Sequence, residues 1–180
     1  MLRLSGPPRS GALFHITEHD AEPRLRTYYF LQADFEELGR RISAVEDRIR
    51  RLGKDMGQSC QEGAETFHDN FAYEDGERNQ RMWSQERRGL LRLQAGARLV
   101  EVPLSGDRAA IGRTVVVLDQ DSGAQMIIRI GSYENFAPAP PGTISYSAPM
   151  AQILLGAEAG EEREGTIAGK MRRFEVLDVE

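Results

Sequence analysis

Leu31–Met56 reads LQADFEELGRRISAVEDRIRRLGKDM, and its apolar residues decide the first half of the fold. Leu31, Phe35, Leu38, Ile42, Val45, Ile49, Leu52 and Met56 follow one another in alternating steps of four and three, an unbroken heptad seam. Glu36, Glu37, Arg40, Arg41, Asp47, Arg48, Arg51 and Lys54 fill the other faces. One helix cannot bury such a seam alone, so it needs a partner helix. Asn79, Trp83, Glu86, Leu90, Leu93, Ala97 and Val100 repeat the spacing, with two polar interruptions. Between the seams, the stretch from Gly57 to Asn70 breaks the period. Two helices of matched length joined by a short breaker predict an antiparallel hairpin over 28–102. At 1.5 Å per residue, arms of about 25 residues make a rod of roughly 37 Å. A parallel homodimeric coiled coil is the alternative. The matched arms favour the hairpin, and with it a monomer.

Charge is uneven along this rod. Glu62, Glu65, Asp69, Glu74, Asp75 and Glu77 form an acidic run with no Lys or Arg between them. Arg78, Arg81, Arg87, Arg88 and Arg92 follow, with Glu86 the one acid among them. The tip is therefore negative and the shaft behind it positive. Acids favour a helix N-terminus and Asp69 suits an N-cap, which accounts for about half of the run. Clustering all six at one end costs about 1 kcal/mol per pair at 4 Å even in water, and this favours a functional tip. His68 with Asp69 and Glu65 is too loosely spaced to define a transition-metal site, so His68 reads as turn structure or a partner contact, and Cys60 as an incidental thiol.

The chain of 180 residues has 23 Lys and Arg against 28 Asp and Glu, a net charge of −5. That balance excludes a general nucleic-acid coater. No apolar stretch approaches the roughly 20 residues of a membrane span. The single Cys excludes an internal disulfide and any multi-Cys zinc site, and a cytoplasmic protein is expected. Residues 1–27 carry Gly6, Pro7, Pro8, Gly11 and Pro23 without a sustained period, and read as a flexible arm. Early arginines faintly suggest a transit peptide, but a leader or an upstream start is favoured.

After Pro103 the pattern becomes that of strands. Thr114–Leu118 and Met126–Ile130 flank the turn Asp119–Gly123, a hairpin signature. Pro138, Pro140 and Pro141 mark a loop before a strand at Ile144–Ser147. Pro149 opens a short helix, Met150–Leu155, which Gly156 ends. Thr166–Ala168 and Met171–Val179 complete the sheet. Residues 103–180 are thus expected to form a small α+β domain, one helix on a largely antiparallel sheet. They contain no nucleotide-binding glycine loop, HExxH or GxSxG element.

Two segments of this domain resemble the GreA/GreB family of bacterial transcript cleavage factors. Ile111–Gly123, IGRTVVVLDQDSG, is similar to the family's VGSxVxLxDxDTGE hairpin. Ile144–Glu161, ISYSAPMAQILLGAEAGE, is similar to its ISxxSPxAxALLGKxxGD segment. The helical hairpin matches the family's coiled coil in placement and length.

The resemblance implies an FKBP-like C-terminal domain that docks at the rim of the RNA polymerase secondary channel. The coiled coil then enters the channel. Its acidic tip helps hold the second Mg²⁺ of the polymerase's own active site and activates water, so that backtracked RNA is cut. Such a factor is not itself an enzyme and binds no cofactor in isolation. On this sequence the tip carboxylates are Asp69 and Glu65. Ser147, Ala148 and Pro149, with Asp119 and Asp121, are the expected docking residues, although Pro149 also suits a helix start and both aspartates suit a turn. Arg81, Arg88 and Arg92 are placed to attract the extruded RNA.

The tip departs from the family's DLSENAEY. Thr66–Tyr73 reads TFHDNFAY, with Asp69 before Asn70 and Thr66 at the other acidic position. An alternative register puts Asp69 at the first acidic position and Ala72 at the second. Glu65 and Asp69, four residues apart, restore a pair on one helical face. Loss of cleavage, leaving a channel-plugging inhibitor, is the competing function. A docking-only regulator is opposed by the full-length arms. A prolyl isomerase is opposed by the few aromatics of the second domain: Tyr133, Phe136, Tyr146 and Phe174.

Overall fold

The structure, a computed structural model, describes residues 26–62, 71–102 and 106–180. Most of the expected N-terminal arm and the tip residues Glu65, Thr66, His68, Asp69 and Asn70 lie outside the described residues.

The chain runs β1 (Tyr28–Phe30), α1 (Gln32–Glu62), α2 (Phe71–Ala95) and β2 (Ala97–Leu99). It continues through β3 (Thr114–Asp119), β4 (Gln125–Gly131), β5 (Thr143–Ser145), α3 (Pro149–Leu154), β6 (Glu162–Ile167) and β7 (Lys170–Val179).

The two long helices form the expected antiparallel hairpin. Met56 of α1 packs over Gly76 of α2, where an added Cβ would sit 3.0 Å from the Met56 Cγ. Farther from the tip, Arg87 donates to Glu46 at 2.8 Å. Leu38, Ile42 and Val45 are buried, and Phe35, Ile49, Leu52 and Met56 are half-buried, so the seam of α1 faces α2 throughout.

The seam of α2 departs from the expected register. Glu86 is exposed, and Arg87 takes the interface beside Ser84 and Leu90. An arginine can lie along an apolar interface with its head in an ion pair, so a charged residue is tolerated there. The helix also ends earlier than the spacing predicts. Ala97 is in β2, which pairs in parallel with β1, and the Val100 N–H donates to the Phe30 carbonyl. Gly96 permits this crossing: a Cβ there would lie 2.1 Å from the Arg26 carbonyl oxygen. A two-stranded clasp therefore closes the base of the rod.

The second unit is a curled mixed sheet in the order β5-β4-β3-β7-β6. Val115 and Val117 of β3, Ile128 and Ile130 of β4, and Phe174 and Val176 of β7 alternate inward, as a half-buried sheet requires. Ala151 and Leu154 of α3, with Ala157, cover them. Pro149 stands at the start of α3, where its missing N–H costs no hydrogen bond, and Gly156 takes φ +78° just beyond its end. The sheet is largely antiparallel, as expected, with three of its four pairings antiparallel and β5 paired in parallel with β4 at one edge. The long connection 132–142 carries the chain back along β4 before β5 begins, which a tight hairpin cannot do.

Candidate functional site

The rod, the sheet unit and the joint between them each hold part of the candidate site. Of the acidic run, Glu62 ends α1 and Glu74, Asp75 and Glu77 lie at the start of α2. Asp75 accepts from Asn79 at 3.1 Å and Glu77 pairs with Arg81 at 3.0 Å. Glu74, Asp75 and Glu77 thus do ordinary work at a helix N-terminus. The candidate carboxylates Glu65 and Asp69 belong to the undescribed segment between the helices.

Arg81, Arg88 and Arg92 share one side of α2, while Arg87 turns toward α1. Arg81 and Arg88 line an open groove of about 420 Å³ with Glu77, Gln80, Ser84 and Gln85. Arg92 is exposed one turn beyond Arg88, toward the sheet unit. Arg81 is already paired with Glu77, whereas Arg88 and Arg92 have no ion-pair partner among the described residues. The side can hold a polyanion chiefly through the latter two.

The expected docking segment lies between β5 and α3. Ser147 and Pro149 are exposed and Ala148 is half-buried. The Ser145 and Ser147 hydroxyls lie 2.8 Å apart, and the Ser147 N–H donates to the Ser145 Oγ at 3.2 Å. This fixes the turn that presents Ser147, Ala148 and Pro149 together.

The aspartates of the β3–β4 turn behave differently from one another. Asp119 is 2% exposed, its carboxylate engaged by the Arg172 guanidinium and, at 3.0 Å, by the Asp121 N–H. That position removes Asp119 from any docking surface; the turn-forming role is the one it fills. Asp121 is exposed and lies 3.6 Å from Arg173. It alone of the pair is available to a partner.

Burial works against ionisation of Asp119, but hydrogen bonds from Ser122, Arg172 and the Asp121 N–H, with the Arg172 charge, outweigh it and hold its carboxyl below the usual carboxylate range. A depressed folded-state pKa stabilises the fold above the unfolded value, about 3.9, and that contribution is lost as pH falls through the folded value. Thermal unfolding should therefore show a stability loss below about pH 4 that is smaller in Asp119→Asn. An identical acid limb in the variant would show that Asp119 is not its source.

The joint was not foreseen from sequence. Tyr28, Tyr29 and Phe30 of β1 meet the aromatic residues of the sheet unit: Tyr28 with Tyr133 at 4.6 Å, Tyr29 with Tyr146 at 5.8 Å, and Phe30 stacked on Phe136 at 6.3 Å. Asp34, in the first turn of α1, is 5% exposed. Its carboxyl accepts from the Ser132 hydroxyl at 2.5 Å and from the Ala137 N–H at 2.9 Å. The same Ser132 oxygen accepts from the Leu31 N–H at 2.9 Å. The start of the hairpin is thereby bonded to the loop after β4. Three of the four aromatics that failed to suggest an isomerase pocket serve this joint, and Phe174 is in the core.

A helical hairpin clasped at its base and set on a curled mixed sheet with one short helix defines an α+β protein that presents a rod from a compact mount. Residues 104–180 match the family model described as "Transcription elongation factor, GreA/GreB, C-term". The match spans the sheet unit, 77 of the 180 residues, and stops short of the helical hairpin.

Transcription elongation factor GreA of Mesorhizobium japonicum is 36% identical over 88 residues, covering 48% of this chain and 55% of that protein. GreA of Aliarcobacter butzleri is 36% identical over 77 residues, 42% of this chain and 47% of that protein. The chain spans about half the length of these curated relatives. Among solved structures, GreA factor homolog 1 (Gfh1) of Thermus thermophilus is similar with a TM-score of 0.41 and 20% identity, covering 86% of this chain and 99% of that one.

Proposed function

We propose that this chain is a bacterial transcription elongation factor that docks on RNA polymerase at the secondary channel and stimulates cleavage of backtracked RNA. The observation that carries the reading is the union of a GreA/GreB C-terminal domain with an antiparallel helical rod. The 25 residues of α2 alone extend about 37 Å, enough to reach deep into a channel from a mount at its rim.

In this reading Ser147, Ala148, Pro149 and Asp121 contact the polymerase. Arg88 and Arg92, with Arg81, attract the extruded RNA through its phosphates. Glu65 and Asp69 offer hard carboxylate oxygens, the donor type that suits Mg²⁺. The ion, shared with the polymerase, would stabilise the attacking and leaving oxygens. The chain itself supplies carboxylates and their placement, and the nuclease is the polymerase.

A second reading, a channel plug that slows transcription without cleavage, is favoured by one feature: in either register the tip lacks the family's acidic pair at its usual positions. Both readings require docking. Pro149→Ala should weaken co-elution of the full chain with core RNA polymerase while leaving its unfolding temperature unchanged. Undiminished affinity would remove this segment from the interface, and no co-elution of the unaltered chain would remove both readings.

A further inference from the structure

Arg48, Arg51, Leu52 and Asp55 of α1 line an open groove of about 320 Å³ together with Trp83 of α2. This groove lies away from the Arg81–Arg88 side. Trp83 follows Arg81 by two residues, which turns it by about 160° around the helix. Trp83 is half-buried, packed against the hairpin core on one side and lining the groove on the other. Neither neighbouring guanidinium covers its ring: Arg41 over Phe136 is the one cation–π contact among the described residues. Arg48 is exposed with no ion pair among the described residues, and Arg51 is exposed with its Nε directed to the Asp47 carbonyl at 3.3 Å.

We propose that this groove is a nucleotide site, in which a base stacks on Trp83 and its phosphate is held by Arg48 and Arg51. A coiled-coil interface is satisfied by Leu or Ile, and here it carries instead an indole that lines a groove together with two exposed arginines. Indole faces stack on any base, and guanidinium groups bind phosphate with two parallel donors. Leu52 supplies apolar contact beside the ring. The volume is at the low end of small-molecule pockets, about 300–1,000 Å³, and suits one nucleotide rather than a folded nucleic acid. A free ribonucleotide and the terminal residue of an RNA strand share this chemistry. The second source rests on the polymerase reading and the first does not.

Trp83 is the chain's one tryptophan, so its fluorescence reports this groove without a label. The full chain would be titrated with AMP, with ribose 5-phosphate and with an eight-nucleotide single-stranded RNA. Saturable quenching by AMP and none by ribose 5-phosphate is expected. Arg48→Gln combined with Arg51→Gln should weaken AMP about tenfold with helical content unchanged. RNA binding more tightly than AMP identifies a strand end as the source, and equal affinity identifies the free nucleotide. Anisotropy of a labelled RNA should show Trp83→Phe retaining binding and Trp83→Leu losing it, which controls for the packing role of the ring. The proposal is overturned by the absence of saturable quenching, by equal response to ribose 5-phosphate, or by either the double arginine variant or Trp83→Leu binding as well as the unaltered chain. Co-elution with RNA polymerase, measured separately, reports docking. Its failure would remove the polymerase reading while leaving the AMP result in force.

Discussion

Asp34→Ala is expected to destabilise the protein by about 2–4 kcal/mol, because it leaves the buried Ser132 hydroxyl and the Ala137 N–H without their acceptor. The size follows from the asymmetry of hydrogen bonding: a bond made adds little, while a buried group left unpaired loses its full hydration. The Ser132 hydroxyl can reorient, but its oxygen already accepts from the Leu31 N–H, so the start of α1 is disturbed as well. Asp34→Asn keeps the shape and one acceptor oxygen, and should recover much of the loss. Urea unfolding of the three proteins measures this. A second readout separates position from stability: spin labels on α2 and on β7 should give a broader distance distribution in Asp34→Ala than in the unaltered chain. Equal stability and an equal distribution would show that Asp34 does not brace the rod.

Phe30→Ala should cost about 3–5 kcal/mol, the range for emptying a buried aromatic site. Phe30 is fully buried at the point where the clasp, α1 and the 132–142 connection converge. Its neighbours Leu38, Leu90 and Phe136 belong to different segments and cannot collapse together into the space. Phe30→Leu, which retains most of the volume, should cost less than about 1.5 kcal/mol. Similar midpoints for the alanine and leucine variants in urea would show that the site relaxes freely and that the joint is not rigid.

These two residues mark the boundary of what the sequence made legible. The seam Leu31–Met56 declares a helix and its need for a partner; Leu31 falls just before α1, at the joint, and the other seven residues are at least partly buried in the hairpin. The alternation in Thr114–Leu118 and Met126–Ile130 likewise became β3 and β4. By contrast, β1 and β2 are three residues each, too short for any period to emerge, and their parallel pairing depends on chain ends that the intervening hairpin brings together. Nothing local distinguishes Asp34 from any acid in a first helical turn, because its partners Ser132 and Ala137 lie about a hundred residues away. Tyr133, Phe136 and Tyr146 read in the sequence only as aromatics too few for a pocket, since nothing local ties them to β1.

The candidate site shows the same division. Ser147 and Pro149 are exposed, as a docking segment requires. The resemblance offers Asp119 and Asp121 together, but the strand alternation that buries Val115 and Val117 buries Asp119 too. Arg81 and Arg88, seven residues apart, line one groove. The heptad spacing carries the α2 seam through Glu86, where the helix instead presents Arg87 to Glu46.

Tyr146 immediately precedes Ser147–Pro149 and packs on Tyr29 and Tyr133, so a partner docked there as proposed would sit beside the residues that hold the rod.

The measurement that tests the central claim most directly is transcript cleavage in a stalled, backtracked elongation complex with Mg²⁺, comparing the unaltered chain with Glu65→Ala and Asp69→Ala. The account predicts cleavage by the unaltered chain and its loss by roughly tenfold or more in at least one variant, whose carboxylate is then assigned to the metal. No cleavage by the unaltered chain, with elongation slowed in proportion to its concentration, would contradict it and make the protein a channel plug.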